Sequence, residues 1–128
     1  MRPARLLLLV IALAHLVIPV VMFARSSTLR AEVAAQHPDF TPSELDASVR
    51  VALTSASVFH LVLAVLCVVL AWKLERRWAS RLTVVSQALS IVFSVVSWST
   101  SGMFHAVIPV VIALQLAVIA LVLRSRRT

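Results

Sequence analysis

Four apolar stretches of about 20 residues dominate the sequence, and none of them contains Asp, Glu, Lys or Arg. They lie at 6–24, 51–72, 82–101 and 104–123. A helix of roughly 20 residues crosses the hydrocarbon layer of a bilayer, and a helix satisfies its backbone within a single apolar span. The sequence therefore predicts an all-α, polytopic membrane protein, an antiparallel bundle of four transmembrane helices forming one membrane domain over residues 1–128.

The composition excludes the soluble classes of protein. Of the 128 residues, 61% are hydrophobic and 13% are charged, whereas a soluble domain is about half apolar and a quarter charged. A chain of this size buries too little surface to hide so much apolar side chain from water. Soluble enzymes, DNA-binding modules and disordered tails are excluded, and the net charge of +7 is explained by membrane topology without nucleic-acid binding.

The distribution of positive charge predicts the orientation, because Arg and Lys are enriched in cytoplasmic loops. Nine of them lie at the two termini and between the second and third stretches, whereas three lie in residues 25–50 among four acidic residues. We therefore expect a multi-pass protein of a bacterial plasma membrane with both termini in the cytoplasm. The first stretch is interpreted as an uncleaved span, because Phe23 is too bulky for a signal-peptide cleavage site.

The basic side chains of the cytoplasmic rim are expected to contact lipid. Clusters of Lys and Arg next to a membrane span attract anionic headgroups. The lipid bilayer, through those headgroups, is thus an expected partner. The residues concerned are Lys73, Arg76, Arg77, Arg81, Arg124, Arg126 and Arg127.

The extracytoplasmic loop at 25–50 contains a strong helix-start signal. Thr41 is predicted to be the N-cap, Pro42 the first helical residue and Glu44 the partner that bonds back to the cap. No helix breaker follows before the second stretch. We therefore expect one helix that projects about two turns outside the membrane and continues into it.

A second, shorter helix is expected at 28–36, ending at His37-Pro38. It is predicted to lie on the membrane surface with Leu29 and Val33 facing the lipid. Two interpretations of this loop stay open. It is a docking surface for an extracytoplasmic partner, or it is a plain connector between two spans.

Polar residues in the third stretch fall on one helix face, because they alternate in steps of three and four. Small and hydroxyl side chains let membrane helices approach closely and exchange hydrogen bonds. The face is interpreted as intramolecular packing, with an oligomer surface or polar pathway as the alternative. It consists of Thr83, Gln87, Ser90, Ser94, Ser97 and Ser101.

Small residues in the fourth stretch repeat this spacing, which predicts that they form the surface by which the fourth helix packs against its neighbours, its packing seam. The seam consists of Ala106, Val110, Ala113, Ala117 and Ala120.

Two prolines, Pro19 and Pro109, are each expected to interrupt the hydrogen bonds of their helix, since proline has no N–H.

Two histidines, His15 and His60, each lie about ten residues deep in their spans, near the midplane. Adjacent antiparallel helices could bring them together as axial ligands of a haem. A hydrogen bond between helices is the favoured interpretation, and no cofactor or other metal site is expected. The spans contain no carboxylate to orient a histidine for hydrolysis, so the protein is interpreted as not being an enzyme.

Two short segments add a resemblance. The segment Trp72-Lys73-Leu74-Glu75-Arg76-Arg77-Trp78-Ala79-Ser80-Arg81 is similar to an Arg-Trp-Ala-Arg turn between a second and a third span, with Ser80 inserted before Arg81. The segment Thr41-Pro42-Ser43-Glu44-Leu45-Asp46 is similar to the start of a second span. Both resemble segments of the small four-helix integral membrane proteins of actinobacteria. The resemblance implies the four-span layout but does not imply any biochemical activity.

These features favour a non-catalytic accessory, scaffold or regulatory subunit that binds another membrane protein or further copies of itself. The alternative is a small transporter or pore built by oligomers around the third stretch. A bis-histidine haem protein, with His15 and His60 as ligands, is the third and least favoured hypothesis. The spans lack the charged side chain that ion-coupled transporters use, which argues against the second hypothesis.

Overall fold

The computed structural model describes residues 1–126, with Thr100 by its backbone only, and these residues form five α-helices and no strand. Four of the helices are long and apolar enough to cross a membrane. The all-α fold of a multi-pass membrane protein is thereby confirmed. The helices are α1 (Arg2–Ala24), α2 (Ser26–Gln36), α3 (Pro42–Lys73), α4 (Arg77–Thr100) and α5 (Ile108–Ser125).

The four long helices form a bundle in which α1 and α4 each pack against both α3 and α5. Neighbouring helices run antiparallel. Both ends of the described chain and the α3–α4 turn meet at one end of the bundle, where Arg5 pairs with Glu75 at 2.6 Å and the Arg126 guanidinium donates to the Arg77 carbonyl at 2.8 Å. We call this the terminal end, and the opposite end, which carries α2 and residues 101–107, the loop end.

The hydrophobic core lies toward the terminal end. Leu8 and Ile11 of α1, Leu70 of α3 and Val118 and Val122 of α5 are fully buried there. Since lipid tails are as apolar as these side chains, close packing rather than the hydrophobic effect holds membrane helices together. Small buried residues provide that close approach, and they are Ala4, Ala12, Cys67, Ala71 and Ala79.

Helix α3 begins as predicted. The Thr41 N–H donates to the Glu44 carboxylate at 2.7 Å, and the Glu44 N–H donates to the Thr41 hydroxyl at 3.4 Å. The helix then continues for 32 residues to Lys73. At 1.5 Å per residue it is about 48 Å long, against roughly 30 Å of hydrocarbon. Its first turns therefore extend beyond the apolar layer at the loop end.

Helix α2 forms close to its predicted bounds, but it folds over the loop end of the bundle. The Arg30 guanidinium pairs with Asp46 of α3 at 2.9 Å, and the Ser101 hydroxyl donates to Glu32 at 2.8 Å. Leu29, predicted to face lipid, instead lines a cavity inside the bundle. The correction follows from these two polar contacts, because they fix α2 across the end of the bundle.

The fourth span begins later than predicted. Residues 101–107 form a turn, and α5 starts at Ile108 with Pro109 in its first turn. The first N–H groups of a helix have no partner within the helix, so proline interrupts nothing at this position. The prediction for Pro109 is wrong, whereas Pro19 does lie inside α1.

The predicted packing seam of α5 is also wrong. Val110 is 58% exposed, and Ala113 and Ala120 are exposed as well. The helix is apolar on all sides, so a spacing of three and four residues fits several of its faces equally well. The face that is buried consists of Val111, Gln115, Val118 and Val122.

Candidate functional site

A cavity of about 210 Å³ lies in the half of the bundle nearer the loop end. All five helices and the 101–107 turn contribute to its walls, which are mainly apolar. Phe93 and Val107 line it and are 46% and 47% exposed. The cavity therefore reaches the apolar outer surface of the bundle.

A pair of histidines forms part of the cavity wall. The Nδ1 atoms of His15 on α1 and His60 on α3 lie 2.9 Å apart, and their ring centroids are separated by 5.2 Å. His15 is buried and His60 is half-buried. Equal depth in two antiparallel spans was the signal in the sequence, and the antiparallel contact of α1 with α3 brings the two rings together.

The short distance between the two Nδ1 atoms determines their protonation. One of them has to carry the hydrogen and the other has to accept it. When both rings are neutral, the ring that donates at Nδ1 has an acceptor at Nε2, and the other ring has a donor at Nε2. Among the described residues, no hydrogen bond engages either Nε2 atom. The pair thus offers one donor and one acceptor to a further molecule.

The geometry of the pair fits a hydrogen bond better than a haem. An iron ion between two axial nitrogen atoms needs about 4 Å between them, since each metal–imidazole bond is about 2 Å long. The observed Nδ1–Nδ1 distance is 2.9 Å. Within residues 1–126, no group of three or more His, Cys, Asp or Glu side chains is placed to hold a metal ion.

The polar face of α4 lies inside the bundle. Its part nearer the terminal end is buried, and the part nearer the loop end borders the cavity. The buried part of this face packs against the protein's own helices, whereas Ser94, Ser97 and Ser101 are half-buried at the cavity. Thr83, Gln87 and Ser90 are buried, and Ser90, Ser94, Ser97 and Ser101 line the cavity.

Gln115 is a polar residue that the spacing argument overlooked. Its side chain is fully buried, and its Nε2 atom donates to the Ser90 hydroxyl at 2.7 Å. Gln87 makes a weaker contact, from Nε2 to the Cys67 Sγ at 3.6 Å. The Oε1 atoms of both glutamines are buried without a partner among the described residues. A single amide in an apolar span is itself a signal, because such groups face the protein and not the lipid.

The basic residues predicted to contact anionic lipid surround the terminal end. The same end of the bundle carries Trp72 and Trp78, two exposed residues of the type that favours membrane interfaces. Arg127 lies outside the described residues. The exposed members are Lys73, Arg76, Arg77, Arg81, Arg124 and Arg126.

Comparisons of the chain with protein-family models, with curated proteins and with solved structures found no match. Function is therefore inferred from the fold, the cavity and the distribution of charge.

Proposed function

We propose that the protein is a non-catalytic accessory, scaffold or regulatory subunit of a bacterial plasma membrane. The observation that carries this proposal is an ordered polar cap at the loop end, formed by α2 and the first turns of α3. Its two helices are joined by the Arg30–Asp46 pair, and the Glu32–Ser101 hydrogen bond fixes it to the end of α4. A surface that is already ordered loses little conformational entropy when a partner binds.

The distribution of charge supports an extracytoplasmic position for the cap. Eight Lys and Arg residues of the described chain lie at the terminal end, against three in residues 25–50, and Lys and Arg are enriched on the cytoplasmic side of membrane proteins. The cap exposes small side chains between charged ones, including Ala31 and Ala35 on α2 and Ala47 on α3. We infer that it binds the extracytoplasmic part of another membrane protein.

A transporter or pore built by oligomers is the second candidate, and the structure supports it less. That function needs the polar face of α4 at the interface between copies, but the face lies inside the bundle. The side of α4 that faces outward presents Val85, Leu89 and Val92. Copies arranged around α4 would surround their axis with these apolar side chains. If the protein nonetheless conducts along the polar face of α4, Gln87→Leu is expected to abolish the flux.

Native mass spectrometry tests the proposal on tagged protein taken from its natural membranes in mild detergent. We expect a complex that contains a different membrane protein. Ala31→Trp places a bulky ring on the exposed side of α2 and should remove that chain from the complex. Ala88→Trp makes the same change on an exposed position of α4 and should leave the complex intact.

Two outcomes of this experiment contradict the proposal. A homo-oligomer as the sole species would favour transport. A complex that survives Ala31→Trp but is lost with Ala88→Trp would place the contact on the lipid-facing side of α4 and not on the cap.

A further inference from the structure

We propose that the cavity binds a small neutral ring compound, taken up from the lipid, whose carbonyl or hydroxyl group is hydrogen-bonded by the His15–His60 pair. This binding activity is independent of the proposed accessory role. It rests on the size of the cavity, on its polar groups and on its route to the membrane.

The size of the cavity fits one substituted six-membered ring. An engineered apolar cavity of roughly 150 Å³ in another protein binds benzene. The cavity described here measures about 210 Å³, so it has room for a benzene-sized ring with a few small substituents. Phe59 and Phe93 line it with their centroids 4.5 Å apart, and they provide aromatic surface for such a ring.

The polar groups of the cavity favour a neutral molecule that has hydrogen-bonding oxygen. No residue described as lining the cavity is an Asp, Glu, Lys or Arg, so nothing there compensates a ligand charge. The histidine pair presents one donor and one acceptor at its Nε2 atoms, and unpaired polar groups in an apolar site are unfavourable. A carbonyl oxygen accepts from the Nε2–H, and a hydroxyl group also donates to the unprotonated Nε2.

The route into the cavity runs from the lipid. At the loop end the cavity is covered by α2, since Leu29 forms part of its wall and the Arg30–Asp46 pair holds that helix in place. Its exposed lining residues, Phe93 and Val107, lie on the apolar outer surface of the bundle. A compound that partitions into the bilayer reaches this opening without crossing the polar cap.

Binding of three matched probes to the full-length protein in detergent micelles tests the proposal. The probes are a dimethylbenzoquinone, a dimethylphenol and p-xylene, which share a ring of similar size but differ in their oxygen atoms. We expect saturable binding of a quinone, a phenol or both, with p-xylene bound at least about tenfold more weakly because it makes no hydrogen bond. A preference between the two oxygenated probes distinguishes a carbonyl ligand from a hydroxyl ligand.

Substitutions of His60 distinguish the contribution of the hydrogen bond to ligand affinity from the contribution of the cavity's shape. His60→Leu should weaken binding of the oxygenated probe about tenfold and leave p-xylene unchanged. His60→Asn retains a donor and an acceptor and should restore part of the affinity. His37→Leu is the matched control, because this histidine is exposed, lies between α2 and α3 and does not line the cavity.

Imidazole ¹⁵N chemical shifts of the wild-type protein give a second measurement that does not depend on the folding of any variant. The shifts of His15 and His60 should move with the oxygenated probe and not with p-xylene. Equal affinity for all three probes, or shifts that no probe moves, would overturn the proposal. Stoichiometric haem in the purified protein would overturn it as well and assign the pair to iron.

Discussion

The side-chain amide of Gln115 on α5 donates a hydrogen bond of 2.7 Å to the Ser90 hydroxyl on α4, inside the membrane-spanning bundle. The other amide atom, Oε1, is buried without a partner among the described residues. One side chain thus combines a satisfied donor with an unsatisfied acceptor. Substitutions at the two ends of this hydrogen bond should therefore have unequal effects.

Ser90→Ala is expected to lower the free energy of unfolding by about 1 kcal/mol, since hydrogen bonds between membrane helices contribute about 0.6 and at most about 1.7 kcal/mol. Gln115→Leu should have a smaller effect, because it removes the unsatisfied acceptor together with the hydrogen bond. Reversible unfolding in mixed micelles measures both values. A larger loss for Gln115→Leu than for Ser90→Ala would contradict this order.

The orientation can be measured with single cysteines, because Cys67 is buried and is the one cysteine of the chain. In a Cys67→Ala background, Ser27→Cys should react with an impermeant maleimide on intact cells. Arg76→Cys, at the α3–α4 turn, should react after permeabilisation only. The opposite pattern would place both termini outside the cytoplasm.

The capping box at the start of α3 predicts a local loss of stability. Thr41→Ala removes the hydroxyl that accepts the Glu44 N–H and should cost about 1 kcal/mol. Thr41→Ser keeps the hydroxyl and should behave like the wild type. Hydrogen exchange at residues 43–46 measures the effect, and equal protection in the two variants would argue against the cap.

The same capping box predicts a dependence on pH. Glu44 lies in the first turn of α3, ahead of the apolar stretch, and its pKa is lowered because its carboxylate accepts hydrogen bonds from the N–H and hydroxyl of Thr41. A lowered folded-state pKa stabilises the helix start above the ordinary value of about 4.3, and the effect is lost as the pH falls through the folded value. Exchange at residues 43–46, corrected for its intrinsic pH dependence, should rise as the pH falls below that ordinary value. Glu44→Gln should show no such step.

The basic residues at the terminal end predict selective binding of anionic lipid. Each Lys or Arg near the surface contributes about 1 kcal/mol of attraction to anionic headgroups. Replacing Arg76 and Arg81 with Ala should therefore reduce the anionic lipid retained in native mass spectra, relative to zwitterionic lipid. Arg50→Ala, at an exposed position near the loop end, is the control and should leave retention unchanged.

The sequence predicts the features that depend on composition and local spacing. Long apolar runs locate the spans, the Thr41–Glu44 spacing locates the start of α3, and equal depth brings His15 and His60 together. The spacing of Ala and Val residues does not predict which side of α5 is buried, because such residues lie on all sides of that helix; the one local signal for the buried side is Gln115. The position of Leu29 depends on contacts of α2 with α3 and with Ser101, which are distant in sequence. The cavity is lined by side chains from all five helices, so no local sequence pattern predicts it.

Helix α1 packs between α3 and α5, and this arrangement has a consequence for biosynthesis. Leu8 and Ile11 belong to the same core as Leu70 of α3 and Val118 of α5. The first helix to leave the ribosome therefore has to wait in the lipid until the last one has been inserted. Until then, part of its packing surface is open to chaperones and quality-control proteases. A ribosome stalled between α4 and α5 would leave a nascent chain that these factors can distinguish from the finished bundle.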